Sequence, residues 1–310
     1  TSIASILPDM PDVGPADLTA EKFEPLTNEL RVRIIVALAD HQRENPDDRA
    51  LPFKELRERV GERDSGKFNY HLKQLTGNYV WQSEDGYALT LAGERIVGAI
   101  LSGEYSIDEE KGPIELDAKD PLTGDPLAVE WKNGFLVVRG AEERIREAGF
   151  LYRAVVPPGI LTNRSFEDAL ELAIEITNNR YWLLTNAVCP LCYGPADRIV
   201  EFTTSPERSY HQFRGICTQC GHWKRGPVGV CILLHPVVVS FFQEHGIDVR
   251  TEPYWNLDFL FDDSYVERLS EDPLELKVRV EVGDSRLDVT LDDNGQVTGW
   301  SVTDESESHS

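Results

Sequence analysis

The sequence predicts an α+β protein that is built from two domains. Within residues 27–102, three stretches of helical periodicity are followed by a hairpin signal and a fourth helical stretch. Further along, hairpin signals alternate with one long amphipathic stretch, and four of the five cysteines fall into two C-x-x-C pairs. The chain of 310 residues, 41% of them hydrophobic, is too long for one small domain and apolar enough to build two cores.

The two ends of the chain are predicted to lack regular structure. Residues 1–25 contain four prolines and a glycine, which interrupt any helical or strand period. The last eight residues, 303–310, read TDESESHS and are polar and acidic. We therefore expect an irregular N-terminal segment at 1–25 and a disordered acidic tail at 303–310.

Three helices are predicted at the start of the first domain. The first begins after Thr27 or Asn28 as N-cap, and the second has Pro52 at its first position and stops at Gly61. The third, at 64–76, is capped by Asp64 or Ser65. Its apolar residues recur at helical spacing and are expected to face inward: Phe68, Leu72 and Leu75.

A hairpin and a fourth helix complete this domain. Two short strand patterns, 79–83 and 87–90, flank Glu84-Asp85-Gly86, in which Asp-Gly is a strong hairpin signal. The fourth helix then ends near Gly103. Helix, helix, helix, hairpin, helix is the element order of a winged helix-turn-helix, which we therefore predict at 26–105.

The third helix carries the side chains that are expected to contact DNA. Lysine suits phosphate contacts, Asn and Gln suit base edges, and Tyr suits a phosphate or a thymine methyl group. The predicted DNA-contacting residues are Ser65, Lys67, Asn69, Tyr70, Lys73 and Gln74. Five arginines, Arg31, Arg33, Arg57, Arg59 and Arg63, could flank this surface. The alternative is a winged-helix fold that contacts another protein.

The segment SGKFNYHLKQL (65–75), followed by GNYVWQSEDGYALTLAGERI (77–96), resembles the ArsR-like winged-helix regulators of archaea. The resemblance covers residues 27–102, about a quarter of the chain. It implies sequence-specific binding to double-stranded DNA as a homodimer, in which the first and fourth helices are the candidate dimer surfaces. The acidic wing tip, Glu84-Asp85, departs from the basic wing expected of such proteins.

The charge pattern indicates adaptation to concentrated salt. The chain has 54 acidic against 31 basic residues, a net charge of −23, with 22 Arg against 9 Lys. A carboxylate-rich surface keeps a protein soluble in molar salt, so we predict a halophilic archaeon as the source. Residues 27–102 hold 11 basic and 12 acidic residues, whereas the rest holds 20 and 42. The predicted DNA-binding segment is thus spared the acidic excess.

The second domain, 106–302, is predicted to be α+β. Its first part, 106–126, is acidic and rich in Pro and Gly, and is expected to be a linker or an irregular entry. A hairpin is predicted around Lys132-Asn133-Gly134, and an amphipathic helix from Ser165 to Arg180. Residues 229–246 fit either a strand or a helix. Three strands are predicted at the C-terminal end, at 274–282, 286–291 and 296–302.

Two cysteine pairs predict a zinc ribbon at about 186–228. Cys189-Pro190-Leu191-Cys192 and Cys217-Thr218-Gln219-Cys220 each form a turn that points two thiolates at one ion. One structural Zn²⁺ per chain is therefore expected, held by Cys189, Cys192, Cys217 and Cys220. The segment Asp120–Gly140 resembles the cysteine-preceded hairpin of related archaeal regulators, but it has no cysteine; the resemblance implies that a metal site was lost.

The function predicted from the sequence is transcription regulation by a cytoplasmic, dimeric, DNA-binding protein that is not an enzyme. The chain has no phosphate-binding glycine loop, H-E-x-x-H, G-x-S-x-G or kinase signature, no signal segment and no membrane-spanning run. Two alternatives stay open. One is a basal-transcription or RNA-polymerase-associated factor, and the other is a sensor whose C-terminal domain binds a small-molecule or protein effector.

Overall fold

The structure, a computed structural model, describes residues 20–105, 110–140, 151–204 and 209–304. The chain divides into two compact units, Thr1–Tyr105 and Ser106–Ser310. The described residues form a mixed α+β fold with six α-helices and four sheets. Most of the segment predicted to be irregular, residues 1–19, lies outside the described residues; short 3-10 turns follow at Ala20–Lys22 and Glu24–Thr27.

The first unit has its elements in the predicted order. They are α1 (Glu29–Glu44), α2 (Phe53–Val60), α3 (Ser65–Leu75), β1 (Val80–Gln82), β2 (Tyr87–Leu89) and α4 (Leu91–Leu101). Asn28 caps α1, since its side chain accepts from the amide of Leu30 at 3.0 Å. Pro52 was predicted to be the first residue of α2, but it is the N-cap that precedes the helix. Gly61 ends α2 as predicted, with φ at 75°.

The apolar side of α3 is anchored in the core of the first unit. Phe68 and Leu75 are fully buried, and Leu72 is 1% exposed. The ring of Phe68 meets that of Phe53 on α2 edge to face, with 5.2 Å between centroids. Each such side chain contributes about 1.5–3 kcal/mol by leaving water, so α3 is held with one face inward and the opposite face outward.

Two glycines of α4 are expected to respond oppositely to the same substitution. A Cβ on Gly93 would lie 2.2 Å from the carbonyl oxygen of Tyr79, whereas a Cβ on Gly98 would meet nothing within 4 Å. Gly93→Ala should therefore destabilise the first unit by about 1–3 kcal/mol, because backbone has to shift. Gly98→Ala should stabilise it by about 0.5–1 kcal/mol through helix propensity.

Amide hydrogen exchange in α1 and α3 of the full chain measures both effects, because it isolates the first unit from the second. Gly98→Ala is the matched control for Gly93→Ala. Equal protection in the two variants would contradict the close contact between α4 and Tyr79.

The second unit contains three antiparallel sheets and two α-helices among its described residues. The first sheet is β3 (Lys111–Lys119), β4 (Pro126–Lys132), β5 (Phe135–Gly140) and β6 (Tyr152–Val155), in that order. After α5 (Phe166–Thr185) comes the second sheet, β7 (Ala196–Thr204), β8 (Ser209–Cys217) and β9 (Trp223–Pro227). After α6 (Pro236–Glu244) comes the third, β10 (Val266–Glu271), β11 (Leu274–Val282), β12 (Ser285–Leu291) and β13 (Val297–Asp304).

Several sequence predictions for this unit and for the tail need correction. The predicted linker or irregular entry at 106–126 contains the strand β3, and β10 was not predicted. Residues 229–246, which fitted a strand or a helix, contain the end of a 3-10 turn and then α6. Thr303 and Asp304 of the predicted disordered tail belong to β13, while residues 305–310 lie outside the described residues. Pairing with β12 is what holds these two residues in a strand.

Helix α5 lies at the centre of the second core. A capping box fixes its start, since Ser165 accepts from the amide of Asp168 and the carboxylate of Asp168 accepts from the amide of Ser165. On β8, a Cβ at Gly215 would lie 3.1 Å from the side chain of Leu184, so a glycine there lets α5 pack closely on the second sheet. Within the described part of the chain, every helix is too short or too polar to cross a bilayer.

Candidate metal centre and surface of helix α3

Four cysteines converge where the second sheet meets the end of α5. Cys189 and Cys192 lie in the turn between α5 and β7, Cys217 ends β8, and Cys220 lies in the turn before β9. Their four Sγ atoms are all within 4.8 Å of one another. The distance from Cys189 Sγ to Cys220 Sγ is 3.6 Å, and that from Cys192 Sγ to Cys217 Sγ is 3.5 Å.

Backbone amides prepare two of these sulfurs to carry charge. The amides of Leu191 and Cys192 donate to Cys189 Sγ at 3.3 and 3.5 Å. Those of Cys220 and Gln219 donate to Cys217 Sγ and lower the pKa of that thiol to about 6. The amide of His222 favours the Cys220 thiolate, but burial and the neighbouring thiols together raise its pKa to about 12. Four thiolates therefore need a cation between them.

The geometry fits a metal ion and excludes disulfides. A disulfide needs sulfurs about 2.05 Å apart, far closer than any pair here. Four thiolates bound tetrahedrally at about 2.3 Å lie about 3.8 Å from one another, close to the distances found. The cluster can thus hold one metal ion with its own four sulfurs. The fifth cysteine, Cys231, is buried in the core and is not part of this cluster.

The turn before β4 reproduces the first cysteine turn without sulfur. DPLTGDP (120–126) aligns without a gap on CPLCYGP (189–195), so that Asp120 replaces Cys189 and Thr123 replaces Cys192. The carboxylate of Asp120 accepts from the amides of Leu122 and Thr123 at 2.8 and 3.3 Å, and Cys189 Sγ accepts the equivalent bonds from Leu191 and Cys192 in the first cysteine turn. A carboxylate thus holds this turn in place of a thiolate.

The six predicted DNA-contacting residues lie on the accessible side of α3. Ser65, Lys67, Tyr70, Lys73 and Gln74 are exposed and Asn69 is half-buried. The ring of Tyr70 is 61% exposed and meets that of His71 edge to face, with 5.2 Å between centroids. The ammonium of Lys67 pairs with Glu62 at 2.8 Å, so a phosphate would compete with that carboxylate.

The residues around α3 differ in their exposure and in their partners, and one of them, Arg31, departs from the prediction. Arg31 is only 7% exposed, so it belongs to the core and cannot flank a DNA surface from outside. Arg59 pairs with Glu44 at 2.7 Å, and Arg33 donates to the carbonyl of Val60. His71 is half-buried at the edge of the core, and burial followed by Arg31 and Lys67 lowers its pKa, which favours the neutral form of the ring.

The comparisons with known proteins match both units to families whose function is unknown. Residues 19–100, which contain α1 to α3, the hairpin and all but the last residue of α4, match the domain of unknown function DUF7347. Residues 122–297, which contain the cysteine cluster and more than half of the chain, match the domain of unknown function DUF7351. No curated protein and no solved structure matches the chain significantly. The chain belongs to the DUF7351 family.

Proposed function

We propose that this protein is a sequence-specific, DNA-binding transcription regulator that works in the cytoplasm of a halophilic archaeon. One observation carries the proposal: α3 is anchored by three buried apolar residues while its opposite side offers Lys, Asn, Tyr and Gln to the outside. A helix held in this way can enter a major groove without losing its packing. The family match assigns no function, so the proposal depends on this surface.

The arrangement around α3 supports a winged helix-turn-helix. A tight turn at Gly61 separates α2 from α3, and the β1–β2 hairpin follows directly. Leu51 bridges Tyr87, with its amide donating at 2.9 Å, which adds a third short strand segment to the hairpin. In this reading α3 is the recognition helix, and the acidic tip of the hairpin stays out of the minor groove.

Each polar residue of α3 has a role that suits its chemistry. Lys67 and Lys73 would contact phosphates. The amides of Gly66 and Lys67 at the start of the helix donate to the carboxylate of Asp64 at 2.8 and 3.0 Å, so they do not offer a further phosphate site. Asn69 and Gln74 can each make paired hydrogen bonds to adenine, and Tyr70 can contact a phosphate or a thymine methyl group. Residues 27–102 carry a net charge of only −1, so this surface repels DNA less than the rest of the chain does.

A homodimer is part of the proposal, with α4 as its contact. The helix is rich in apolar residues, yet within Leu91–Leu101 only Gly93 and Val97 are buried. Leu91 is 70% exposed and Leu101 57% exposed. A second copy of the chain would cover these residues and place two recognition helices about 34 Å apart, one turn of DNA.

We assign the metal as Zn²⁺ with a structural role. Zinc is the ion that most often occupies a tetrahedral site of four thiolates, and such a site has no open position for a substrate. The four ligands would be Cys189, Cys192, Cys217 and Cys220. By binding one ion, they would join the turn after α5 to the turn before β9. A closed structural site of this kind fits the expectation that the protein is not an enzyme.

Binding to DNA is expected to depend only weakly on salt. In molar salt the Debye length is about 3 Å, so charges act only in direct contact. The logarithm of the affinity should therefore fall with the logarithm of KCl concentration less steeply than in regulators from low-salt cells. A KCl titration of operator binding measures this slope, and an ordinary steep decline would contradict adaptation of the interface to salt.

The proposal as a whole is tested by genome-wide immunoprecipitation of the full chain. Discrete sites should be occupied, and occupancy should disappear when Lys67, Asn69 and Tyr70 are all changed to Ala. Unchanged occupancy would refute recognition by α3. If the protein instead copurifies with RNA polymerase and occupies promoters without sequence preference, the basal-factor alternative is correct.

A further inference from the structure

Strand β13 forms one edge of the third sheet and carries apolar side chains that the core does not cover. It pairs with β12 on one side, and among the described residues no backbone hydrogen bond from another element reaches its outer side. Trp300 is 59% exposed and Val302 is 53% exposed. A strand edge with unpaired backbone groups and apolar side chains is a place where another strand can pair.

The two exposed side chains lie on the face of the sheet that packs into the core. Trp300 is opposite Val289 of β12, which is fully buried. Val302 is likewise opposite the fully buried Leu287. Directly opposed residues of neighbouring strands point to the same face of a sheet. The core therefore ends at β13, and a strand added beside β13 would extend it over both exposed side chains.

The two edges of this sheet differ in their protection against such pairing. Edge strand β10 reads VERLSE, with charges at three of six positions, and its register shifts between Arg268 and Ser270. In β13 a register shift lies only at the start, next to Leu291 of β12. Residues 299–304 then pair without interruption, and Asp304 is the only charged residue of the strand. Charges and bulges keep strand edges apart, so β10 is protected and β13 is open.

We propose that β13 pairs with β13 of a second copy of the chain, antiparallel and about a two-fold axis. The second copy fits because its β13 has the same open edge and the same lack of charge. Two chains that each carry a net charge of −23 can therefore approach along this strand without local repulsion. The charged and interrupted edge of β10 meets neither condition. This contact depends neither on DNA binding by α3 nor on the proposed contact through α4.

The side chains of β13 favour one register for the pair. With the two-fold axis at Ser301, each Trp300 lies opposite Val302 of the second copy. Pairs of an aromatic and a β-branched residue stabilise neighbouring antiparallel strands. The same register directs the two Asp304 carboxylates to opposite ends of the paired strands, where they do not repel each other. It therefore buries both side chains that the core of one chain leaves exposed.

Amide hydrogen exchange of the full chain in molar KCl tests the pairing without a substitution. Protein concentration is raised to about 1 mM, because an interface of this small size is expected to be weak. Protection of residues 299–304 should increase with concentration, since their outward amides are bonded only in the pair. Protection of β10 should not change. Exchange in β13 that is the same at every concentration would refute the proposal, whether the edge is always open or is covered within one chain.

Sedimentation equilibrium measures the same contact apart from α4. The reference is the full chain with Leu91→Lys and Leu101→Lys, which removes the proposed α4 contact and should leave an equilibrium between monomer and dimer. Adding Val302→Lys places a charge on the open edge and should raise the Kd of that dimer about tenfold or more. Adding Leu269→Lys instead, on β10 and at a residue that is 45% exposed, is the matched control and should leave the Kd unchanged.

Unchanged exchange in β11 and β12 shows that Val302→Lys leaves the sheet folded. A reference chain that stays monomeric up to about 1 mM would overturn the pairing of β13. So would a dimer that is equally stable with and without Val302→Lys. Operator binding by α3 is measured with other variants, so its failure and the failure of this contact are separate results.

Discussion

Cys217→Ser is expected to abolish binding of the proposed Zn²⁺ and to destabilise the ribbon formed by β7, β8 and β9. Cys217 ends β8 and its sulfur accepts two amide hydrogen bonds, so serine removes a thiolate that is already stabilised at this position. Structural zinc sites contribute on the order of 10 kcal/mol to the folding of small zinc domains. Because α5 also packs on β8 through Leu184, we expect a loss of several kcal/mol confined to the ribbon, with the remaining sheets intact.

Elemental analysis of the purified full chain measures the loss of metal, and should give one zinc per wild-type chain and none for Cys217→Ser. Amide hydrogen exchange in residues 196–227 measures the destabilisation of the ribbon. Cys231→Ala is the matched control: it removes the fifth cysteine from the core, and should cost packing energy while the metal is retained. A strong chelator should reproduce the Cys217→Ser pattern in the wild-type chain. If exchange in the ribbon is equally slow with and without metal, the four cysteines do not form a structural site.

Local chemistry made much of this fold predictable. Asn28 and Ser165 cap helices because their side chains bond to amides only a few residues away. The Asn133-Gly134 turn was predicted from residue type alone, and the structure has both residues at positive φ, 52° and 78°. Each cysteine turn is likewise a four-residue motif. Where a signal lies within a few residues of sequence, pattern reasoning found it.

The elements that were missed lack such a local signal. Strand β3 is exposed along most of its length, so no alternation of apolar and polar residues marks it; pairing with β4 is what makes it a strand. The hairpin at Asp120–Gly140 was predicted, but the role of the Asp120 carboxylate in holding its first turn was not, because a carboxylate there takes the place of a sulfur.

The combined change of Lys67, Asn69 and Tyr70 to Ala is expected to reduce operator affinity of the purified chain by at least about a hundredfold. Each base contact is worth about 1–3 kcal/mol and each phosphate contact somewhat less, and tenfold corresponds to about 1.4 kcal/mol. All three side chains lie on the accessible side of α3, so stability should be unaffected. Lys54→Ala, which removes an exposed lysine from α2, is the control and should bind almost normally.

Glu62→Gln is expected to act in the opposite direction. The carboxylate of Glu62 holds the Lys67 ammonium at 2.8 Å and also accepts from the amide of Asp64 at 3.0 Å. Glutamine keeps an oxygen for the amide but gives up the charge, so Lys67 is released for a phosphate and one repulsive carboxylate leaves the interface. Affinity should rise severalfold, and the slope of log affinity against log salt should steepen by about one.

The triple change should lower operator affinity and Glu62→Gln should raise it. These opposite effects distinguish DNA recognition by α3 from contact between α3 and another protein. If α3 binds DNA, Lys67→Ala cancels the gain from Glu62→Gln, because both changes act through one ammonium; a double-mutant cycle then gives a coupling between the two positions. If α3 docks on another protein, neither change alters the salt dependence of DNA binding. A gain from Glu62→Gln that persists in the Lys67→Ala background would show that removing the carboxylate lowers general repulsion, and Lys67 would then not be a phosphate contact.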